Sequence, residues 1–152
     1  MDDKENTGAL AWAQEAALPA VLTLLETCAL PTEGVDAVLT TMLVAYEGER
    51  LIGCAALEVY GTVALLRSVA IHPAYRSRML GQHLVQTILD HARSLRIREV
   101  YLLTETASEY FPRFGFRLIG RSAVAPAIQH SVEWTSVCPV SAQAMVLHLD
   151  AA

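Results

Sequence analysis

The sequence predicts an α/β (α+β) domain built on a mixed, mostly antiparallel sheet of about six to seven strands with flanking helices. Three apolar segments rich in β-branched residues, 41–46, 51–60 and 63–71, are separated by short glycine-containing turns, which is typical of an antiparallel meander. An amphipathic helix is predicted over 79–95 and a further strand over 100–104. Because a strand–helix–strand crossover joins parallel strands, 100–104 should run parallel to 63–71.

The remaining elements follow from local patterns along the chain. They are a strand at 9–13, a helix at 18–29 with Pro19 in its first turn, short helices at 35–39 and 108–114, the latter ending at Gly115, a strand at 116–119, a helical pattern at 126–135 and a closing strand at 144–149. At 152 residues the chain is expected to form a single domain over 1–152, with residues 1–7 as a disordered lead.

The helix predicted at 79–95 has one apolar face, formed by Gly81, Leu84, Val85, Ile88, Leu89, Ala92 and Leu95. Gly81 lies within this face and has no Cβ. We therefore expect the helix to approach the sheet closely at Gly81.

Composition excludes several classes of protein. The net charge is −5 and there is no basic stripe, which argues against nucleic-acid binding. No apolar run approaches the roughly 20 residues of a membrane helix, and the acidic start differs from a secretory signal. Three scattered cysteines without a CxxC pair favour a cytoplasmic protein with reduced thiols. Only 18% of residues are charged against 53% hydrophobic, so a homodimer that covers part of the surface is expected.

Metal and thiol chemistry are not predicted. The five histidines have no ligand spacing, so no metal site is expected. Cys138 has no neighbouring histidine to activate it and is interpreted as a buried, inert thiol, or next as a wall of the substrate pocket. His72, Trp12 and Trp134 are interpreted as structural residues.

The junction between the strand 63–71 and the helix at 79–95 predicts an anion site. Pro73 ends the strand, and a short polar loop leads into the helix. The free N–H groups of a first helical turn and the positive end of the helix dipole attract anions. Arg76 and Arg78 add charge that can pair with phosphate.

The same junction carries a family resemblance. Arg76-x-x-Met79-x-Gly81 resembles the Gln/Arg-x-x-Gly-x-Gly/Ala pyrophosphate loop of the GNAT superfamily of N-acetyltransferases. Val69-Ala70-Ile71-His72-Pro73 looks like the end of that family's fourth strand, and Gly115-Phe116 is similar to its Gly-Phe pattern after a short helix. The tail 134–142 resembles GNAT proteins encoded in bacterial arsenic-resistance operons. The resemblance extends over about residues 17–149.

The resemblance implies a GNAT fold, with the sheet splayed between its fourth and fifth strands, and acetyl-CoA as co-substrate. Backbone amides of the loop would hold the pyrophosphate, and the end of the fourth strand would pair with the pantetheine arm. An amide at this strand end could also serve the oxyanion. The implied cofactor-binding residues are Val69, Ala70, Ile71, Arg76, Ser77, Arg78, Met79, Leu80, Gly81 and Gln82.

Two departures from the family pattern concern chemistry. Met79 replaces a glycine; because helical φ is negative, no backbone cost is expected, but the side chain should crowd the phosphate. Phe111 stands where many members have a tyrosine, and Tyr110 lies one position earlier. Tyr110 is therefore the candidate acid, although neighbouring helical residues point about 100° apart.

Side chains near the predicted strand ends supply the other candidates. Those for a general base are Glu58, Tyr60 and Glu105, with solvated carboxylates and a water relay as alternatives. By strand alternation, Arg67 shares a face with Val69 and Ile71, where it binds a substrate carboxylate or forms a structural ion pair. Thr104, with Thr106 and Ser108, binds substrate or caps the next helix.

These features favour acetyl transfer from acetyl-CoA to a primary amine of a small, amino-acid-like molecule. The arsenic-operon resemblance implies a glutamate analogue carrying arsenic or phosphorus. The alternatives are a protein N-terminal or lysine acetyltransferase, and a CoA-binding sensor or interaction protein without turnover. A dinucleotide-binding Rossmann domain is less favoured because GxGxxG and an early βαβ unit are absent from the sequence.

Overall fold

The structure is a computed structural model that describes residues 9–137 and 142–149, except for the side chains of Ser77, Arg78, Ser136 and Val137. The predictions for residues 1–7 and for Cys138 lie outside this part of the chain. The described residues form two compact units, the first from 9–57 and 68–89, the second from 58–67, 90–137 and 142–149.

The described residues contain a mixed sheet of seven strands in the order β1-β2-β3-β4-β5-β7-β6. The strands are β1 (Ala9–Trp12), β2 (Met42–Glu47), β3 (Arg50–Tyr60), β4 (Val63–Ile71), β5 (Glu99–Thr104), β6 (Arg117–Ile119) and β7 (Gln143–His148); the α-helices are α1 (Leu18–Thr27) and α2 (Leu80–Ser94). The pairs β1–β2, β2–β3, β5–β7 and β6–β7 are antiparallel, and β4–β5 is parallel. The predicted fold class and the parallel crossover are confirmed.

Strand β4 has two features that matter for the site. Its parallel ladder with β5 joins Val63–Leu65 to Glu99–Tyr101, so the rest of β4 extends past this ladder. Ser68 has a left-handed φ of +59°, which interrupts the two-residue alternation of a strand. The alternation that placed Arg67 on the face of Val69 and Ile71 is therefore broken at Ser68.

In the first unit, α1 and a 3-10 segment (Val35–Thr41) pack on β2 and β3. The buried cluster includes Val21, Leu24, Leu25, Val38, Met42, Val44 and Cys54. Gly53 is required by close packing, because a Cβ there would lie 2.8 Å from Leu84 Cδ1 of α2. A glycine of β3 thus makes room for helix α2, a role that the sequence did not reveal for Gly53.

In the second unit, the core lies against β5 and β7. It includes Leu65, Tyr101, Val124, Ile128, Ala144 and Val146. Gly115 has a φ of +101° and ends the 3-10 turn Phe111–Phe114, which replaces the predicted helix at 108–114. Pro112, in the first positions of this turn, has no N–H, so it suits a helix start and not a helix interior.

The helical pattern at 126–135 is divided into a 3-10 segment (Pro126–His130) and a single π-helical turn (Glu133–Val137). Ser131 separates them: its Oγ accepts a hydrogen bond from Glu133 N at 3.1 Å, and its carbonyl accepts one from Trp134 N at 3.1 Å. Such local side-chain bonds compete with a continuous helix.

Among the described residues, no helix is both long enough and apolar enough to cross a membrane.

Candidate functional site

The segment that follows β4 forms the predicted anion site. A 3-10 turn (Pro73–Arg78) leads from His72 to α2. In the part of α2's first turn that is described, a backbone bond runs from His83 N to Met79 O at 3.1 Å. The amides of Leu80, Gly81 and Gln82 precede it, in the positions that a helix leaves without intrahelical acceptors. These amides and the helix dipole suit a phosphate group.

Met79 has a left-handed backbone with a φ of +61°. The expectation that methionine carries no backbone cost was wrong, because Met79 ends the 3-10 turn before α2 instead of adopting helical dihedrals. Left-handed backbone costs a non-glycine residue about 1–2 kcal/mol. The GNAT pyrophosphate-loop motif that this segment resembles has a glycine at this position. A glycine adopts a left-handed φ without this energetic cost. The Met79 side chain is 65% exposed.

Arg76 turns back onto the end of β4. Its Nε donates to Ile71 O at 2.9 Å and its Nη2 to Cys28 Sγ at 3.3 Å. The Cys28 thiol donates to the same carbonyl at 3.5 Å. Arg76 thus fixes the strand end; phosphate binding by its side chain stays a prediction, as do the roles of Ser77 and Arg78.

The last residues of β4 suit a ligand that forms backbone hydrogen bonds. Val69 and Ile71 are half-buried, Ala70 is buried, and all three follow the ladder with β5. The buried Cys54 thiol donates to Ser68 O at 3.1 Å and holds the backbone just before them. A strand end next to an amide-lined helix start fits an arm that contains amides and ends in a pyrophosphate, as acetyl-CoA does.

The second unit contains a buried ion cluster. Arg67 Nη1 lies 2.6 Å from Glu58 Oε2, and Arg67 Nε lies 3.4 Å from Glu133 Oε2. The side chains of Arg67, Glu58 and Glu133 are 0%, 10% and 6% exposed. Tyr60 OH donates to Glu58 Oε1 at 2.7 Å. Arg67 therefore forms the structural ion pair that the sequence left open as an alternative.

These contacts shift the acidity of both neighbours. Burial alone would raise the pKa of Glu58, but hydrogen bonds from Tyr60, Arg67 and Ser131 outweigh it and lower the pKa below its ordinary 4.5. Burial, together with the bond to Glu58, raises the pKa of Tyr60 to about 12. A carboxylate held ionised by three donors is a weak base, so the contacts favour a structural role for Glu58.

Sequence reasoning missed Glu133 as a member of this cluster. Glu133 lies beside Val132 in a region that was expected to be one helix. Nothing in that pattern indicated that its side chain would pair with Arg67 on strand β4. No periodic pattern links residue 67 to residue 133.

An aromatic cluster surrounds the candidate acid Tyr110. Phe111 is buried and packs edge-on against Phe116 at 5.8 Å and Tyr110 at 5.3 Å between ring centroids. Tyr110 is half-buried, with the Arg113 guanidinium 4.3 Å from its ring centroid. Burial raises the pKa of Tyr110, and Arg113 partly opposes this. At neutral pH the phenol holds its proton, as a proton donor must.

The other candidates lie near the end of β5. Thr104 Oγ1 accepts a hydrogen bond from Ala107 N at 2.9 Å, which stabilises the turn after β5. The next helical segment begins only at Phe111, so this bond does not cap a helix. Glu105 is exposed. Within the described ranges, no three histidine, cysteine or acidic residues are grouped so that they could hold a metal ion.

The parallel β4–β5 pair within a mixed sheet, and a helix that follows β4 after one 3-10 turn, agree with an acetyltransferase-like α/β fold. The family model described as "Acetyltransferase (GNAT) family" matches residues 9–116, more than half of the chain. The chain belongs to this family.

Curated relatives align with the chain over a limited length. An amino-acid acetyltransferase of Mannheimia succiniciproducens is 40% identical over 70 residues, which are 45% of this chain and 16% of that protein. One of Mycobacterium tuberculosis is 32% identical over 80 residues, which are 52% of this chain and 45% of that protein. The chain thus matches less than half the length of either relative.

Solved structures align with nearly the whole chain. Rv2747 from Mycobacterium tuberculosis, in complex with CoA and NLQ, has a TM-score of 0.79 at 25% identity and covers 93% of this chain and 99% of its own. N-acetylglutamate synthase from Neisseria gonorrhoeae, complexed with coenzyme A and N-acetyl-glutamate, has a TM-score of 0.79 at 18% identity over 93% of this chain and 35% of its own. The second likeness establishes the fold alone.

Proposed function

We propose that this protein is an acyl-CoA-dependent N-acetyltransferase that moves an acetyl group from acetyl-CoA to a primary amine of a small, amino-acid-like molecule. The observation that carries the proposal is the amide-lined start of α2 directly after the end of β4. Membership of the GNAT family and the amino-acid acetyltransferase relatives support it.

In this proposal, acetyl-CoA supplies an activated thioester. The amides of Leu80, Gly81 and Gln82 bind its pyrophosphate, and the backbone of Val69–Ile71 aligns its arm. Tyr110 holds a proton for the departing sulfur, consistent with its raised pKa. A thiolate with an ordinary pKa near 8.5 is a moderate leaving group, so this proton contributes to the rate without being indispensable.

The proposal also covers which amine accepts the acetyl group. The relatives are amino-acid acetyltransferases, and one neighbour holds N-acetyl-glutamate. A glutamate-like substrate, with a role in resistance to arsenic- or phosphorus-containing analogues, follows from the resemblance of the tail 134–142. Because the Arg67 side chain is 0% exposed and bound to Glu58, we assign it to the ion cluster and not to substrate binding. A substrate contact from Thr104, a homodimer and a cytoplasmic location are parts of this proposal.

Two measurements test the proposed function. The melting temperature should rise with saturating acetyl-CoA, because a ligand that binds the native state stabilises it. Thiol release should then appear with one member of a panel of amino acids and glutamate analogues. Binding without release for amino acids and for test peptides would instead favour the CoA-binding sensor. Release with peptides alone would favour a protein acetyltransferase, and an unchanged melting temperature would overturn the cofactor assignment.

The role of Tyr110 is tested by Tyr110→Phe. We expect a fall in kcat of about 10²-fold, the lower range for general acid catalysis, with the melting shift by acetyl-CoA preserved. Tyr101→Phe is the matched control, since the Tyr101 hydroxyl donates to Glu99 at 2.7 Å, outside the aromatic cluster. Equal kcat values in both variants would remove Tyr110 as the acid.

A further inference from the structure

We propose that His72 is a positioning residue for the phosphate-binding segment, which it holds through a side-chain N-cap. The inference rests on the proposed function, since it concerns the loop assigned to CoA. His72 acts through the backbone of the turn that follows it and makes no contact with the ligand.

His72 joins the end of β4 to the turn Pro73–Arg78 by three hydrogen bonds. Its N–H donates to Ile52 O at 2.8 Å, its carbonyl accepts from Tyr75 N at 2.8 Å, and its Nδ1 accepts from Ala74 N at 3.1 Å. The ring is the side-chain N-cap of this turn. Side-chain caps hold the first turn because they satisfy an amide that has no helical partner.

The opposite edge of the ring faces a cation. Arg50 Nη2, at the start of β3, lies 3.1 Å from His72 Nε2. Both ring nitrogens thus face groups that only donate. The cap requires an acceptor atom at the position of Nδ1, which alanine lacks and asparagine supplies.

The other charged and titratable groups around His72 are few among the described contacts. Tyr75 packs edge-on at 5.7 Å between ring centroids, and its hydroxyl donates to Glu47 at the end of β2. Arg76, on the same turn, is directed to Ile71 O and Cys28. The nearest charge to the ring in these contacts is the Arg50 guanidinium.

The consequence concerns the amides that follow. The turn ends at Met79, and the amides of Leu80–Gln82 come directly after it. A turn without its cap samples more conformations, so these amides are held less well and CoA binds more weakly. Loss of a typical N-cap predicts a rise in the CoA Kd of about fivefold.

The test measures the CoA Kd by calorimetry at about pH 8 in the wild type, His72→Ala and His72→Asn. Asparagine is a good N-cap and alanine is not. We expect binding about fivefold weaker for His72→Ala and near wild-type affinity for His72→Asn.

A His72→Asn variant that binds CoA as weakly as His72→Ala, or a His72→Ala variant that binds CoA as tightly as the wild type, would overturn the inference.

A ligand-free measurement separates this inference from the proposed function. Amide hydrogen exchange at Ala74 should accelerate in His72→Ala and stay slow in His72→Asn. A wild type that binds no CoA at pH 8 would overturn the proposed function, and the link to CoA with it. Normal CoA binding with the same Ala74 exchange in all variants would overturn the role of His72 alone.

Discussion

Met79 combines two properties that separate substitutions can distinguish. Its left-handed φ of +61° is unfavourable for any residue with a Cβ, and its exposed side chain belongs to the residue that directly precedes the first amides of α2. The left-handed φ affects the conformational energy of the backbone. The exposed side chain affects the access of a phosphate group to those amides.

We expect Met79→Gly to bind CoA several-fold more tightly than the wild type, because glycine removes both the crowding and the left-handed strain. Met79→Ala should recover only the part due to crowding. The stability of Met79→Gly should change little, since about 1–2 kcal/mol of relieved strain is offset by the greater unfolded-state freedom of glycine. Calorimetric Kd values and urea unfolding measure both effects. Weaker CoA binding by Met79→Gly would contradict this account.

The backbone of Met79 shows where sequence reasoning reaches its limit at the residue scale. The amphipathic pattern predicted α2 from residue 79, and the helix begins at Leu80. A boundary error of one residue is ordinary for such patterns, but here it changes the conformation from helical to left-handed. His72 is a similar case, because its cap and its contact with Arg50 depend on the relative position of β3 and the turn.

At the scale of elements, the buried ion cluster joins β3, β4 and the π-helical turn Glu133–Val137 within the second unit. Arg67 is the shared cation of two carboxylates. When one partner of a buried pair is removed, the remaining charge has no compensation. The cluster is therefore more sensitive to loss of Arg67 than to replacement of all three charges.

We expect Arg67→Met to destabilise the fold by about 3–5 kcal/mol, the range for a buried ion pair that loses one partner. The triple variant Arg67→Met, Glu58→Gln, Glu133→Gln should regain much of this loss. Arg93→Met is the control: Arg93 and Asp90 form an exposed pair at 3.0 Å, and such pairs contribute at most about 1 kcal/mol. Urea unfolding gives the three free energies. Equal losses of unfolding free energy for Arg67→Met and Arg93→Met would show that the buried cluster contributes no more to stability than an exposed ion pair.

Most elements were predictable from local patterns. The exceptions depend on individual hydrogen bonds or backbone dihedral angles, which the pattern of apolar residues does not indicate. The seven strands and both α-helices were located within a few residues because their apolar periodicity is strong. A helical pattern was predicted over 126–135, and the bonds of the Ser131 side chain and carbonyl divide it. The left-handed Ser68 inside β4 was missed because no feature of an apolar run marks an interruption of this kind.

At the scale of the whole molecule, strand order was the least accessible feature. Strand β7 lies between β5 and β6, through pairs such as Leu102 with Met145 and Leu118 with Met145. These pairs join residues far apart in the chain, and periodicity within one segment carries no information about its partner. The family resemblance implied a GNAT fold over nearly the whole chain, but it did not specify that β7 lies between β5 and β6.

The free energy of unfolding should depend on pH at both ends of the range. The pKa of Glu58 is lowered in the folded state, so its stabilising contribution is present above about pH 4.5 and is lost as pH falls through the folded value. Burial raises the pKa of Cys54 from 9.0 to about 12, and those of Tyr60 and Tyr101 from 10.0 to about 12. Their contributions are complete below about pH 9 and are lost as pH rises toward about 12.

We therefore expect the free energy of unfolding to be nearly constant between about pH 5 and about pH 9 and to fall on either side. Single variants can show which residue causes each fall. Glu58→Gln should flatten the acid side, because glutamine has no proton to gain. Tyr101→Phe should reduce the alkaline loss and leave the acid side unchanged, since its hydroxyl titrates only above the ordinary tyrosine value of 10.0. Urea unfolding across this range measures the three curves. If the curve of Glu58→Gln ran parallel to that of the wild type down to about pH 3, the buried cluster would not be the source of acid sensitivity, and exposed carboxylates would have to account for it.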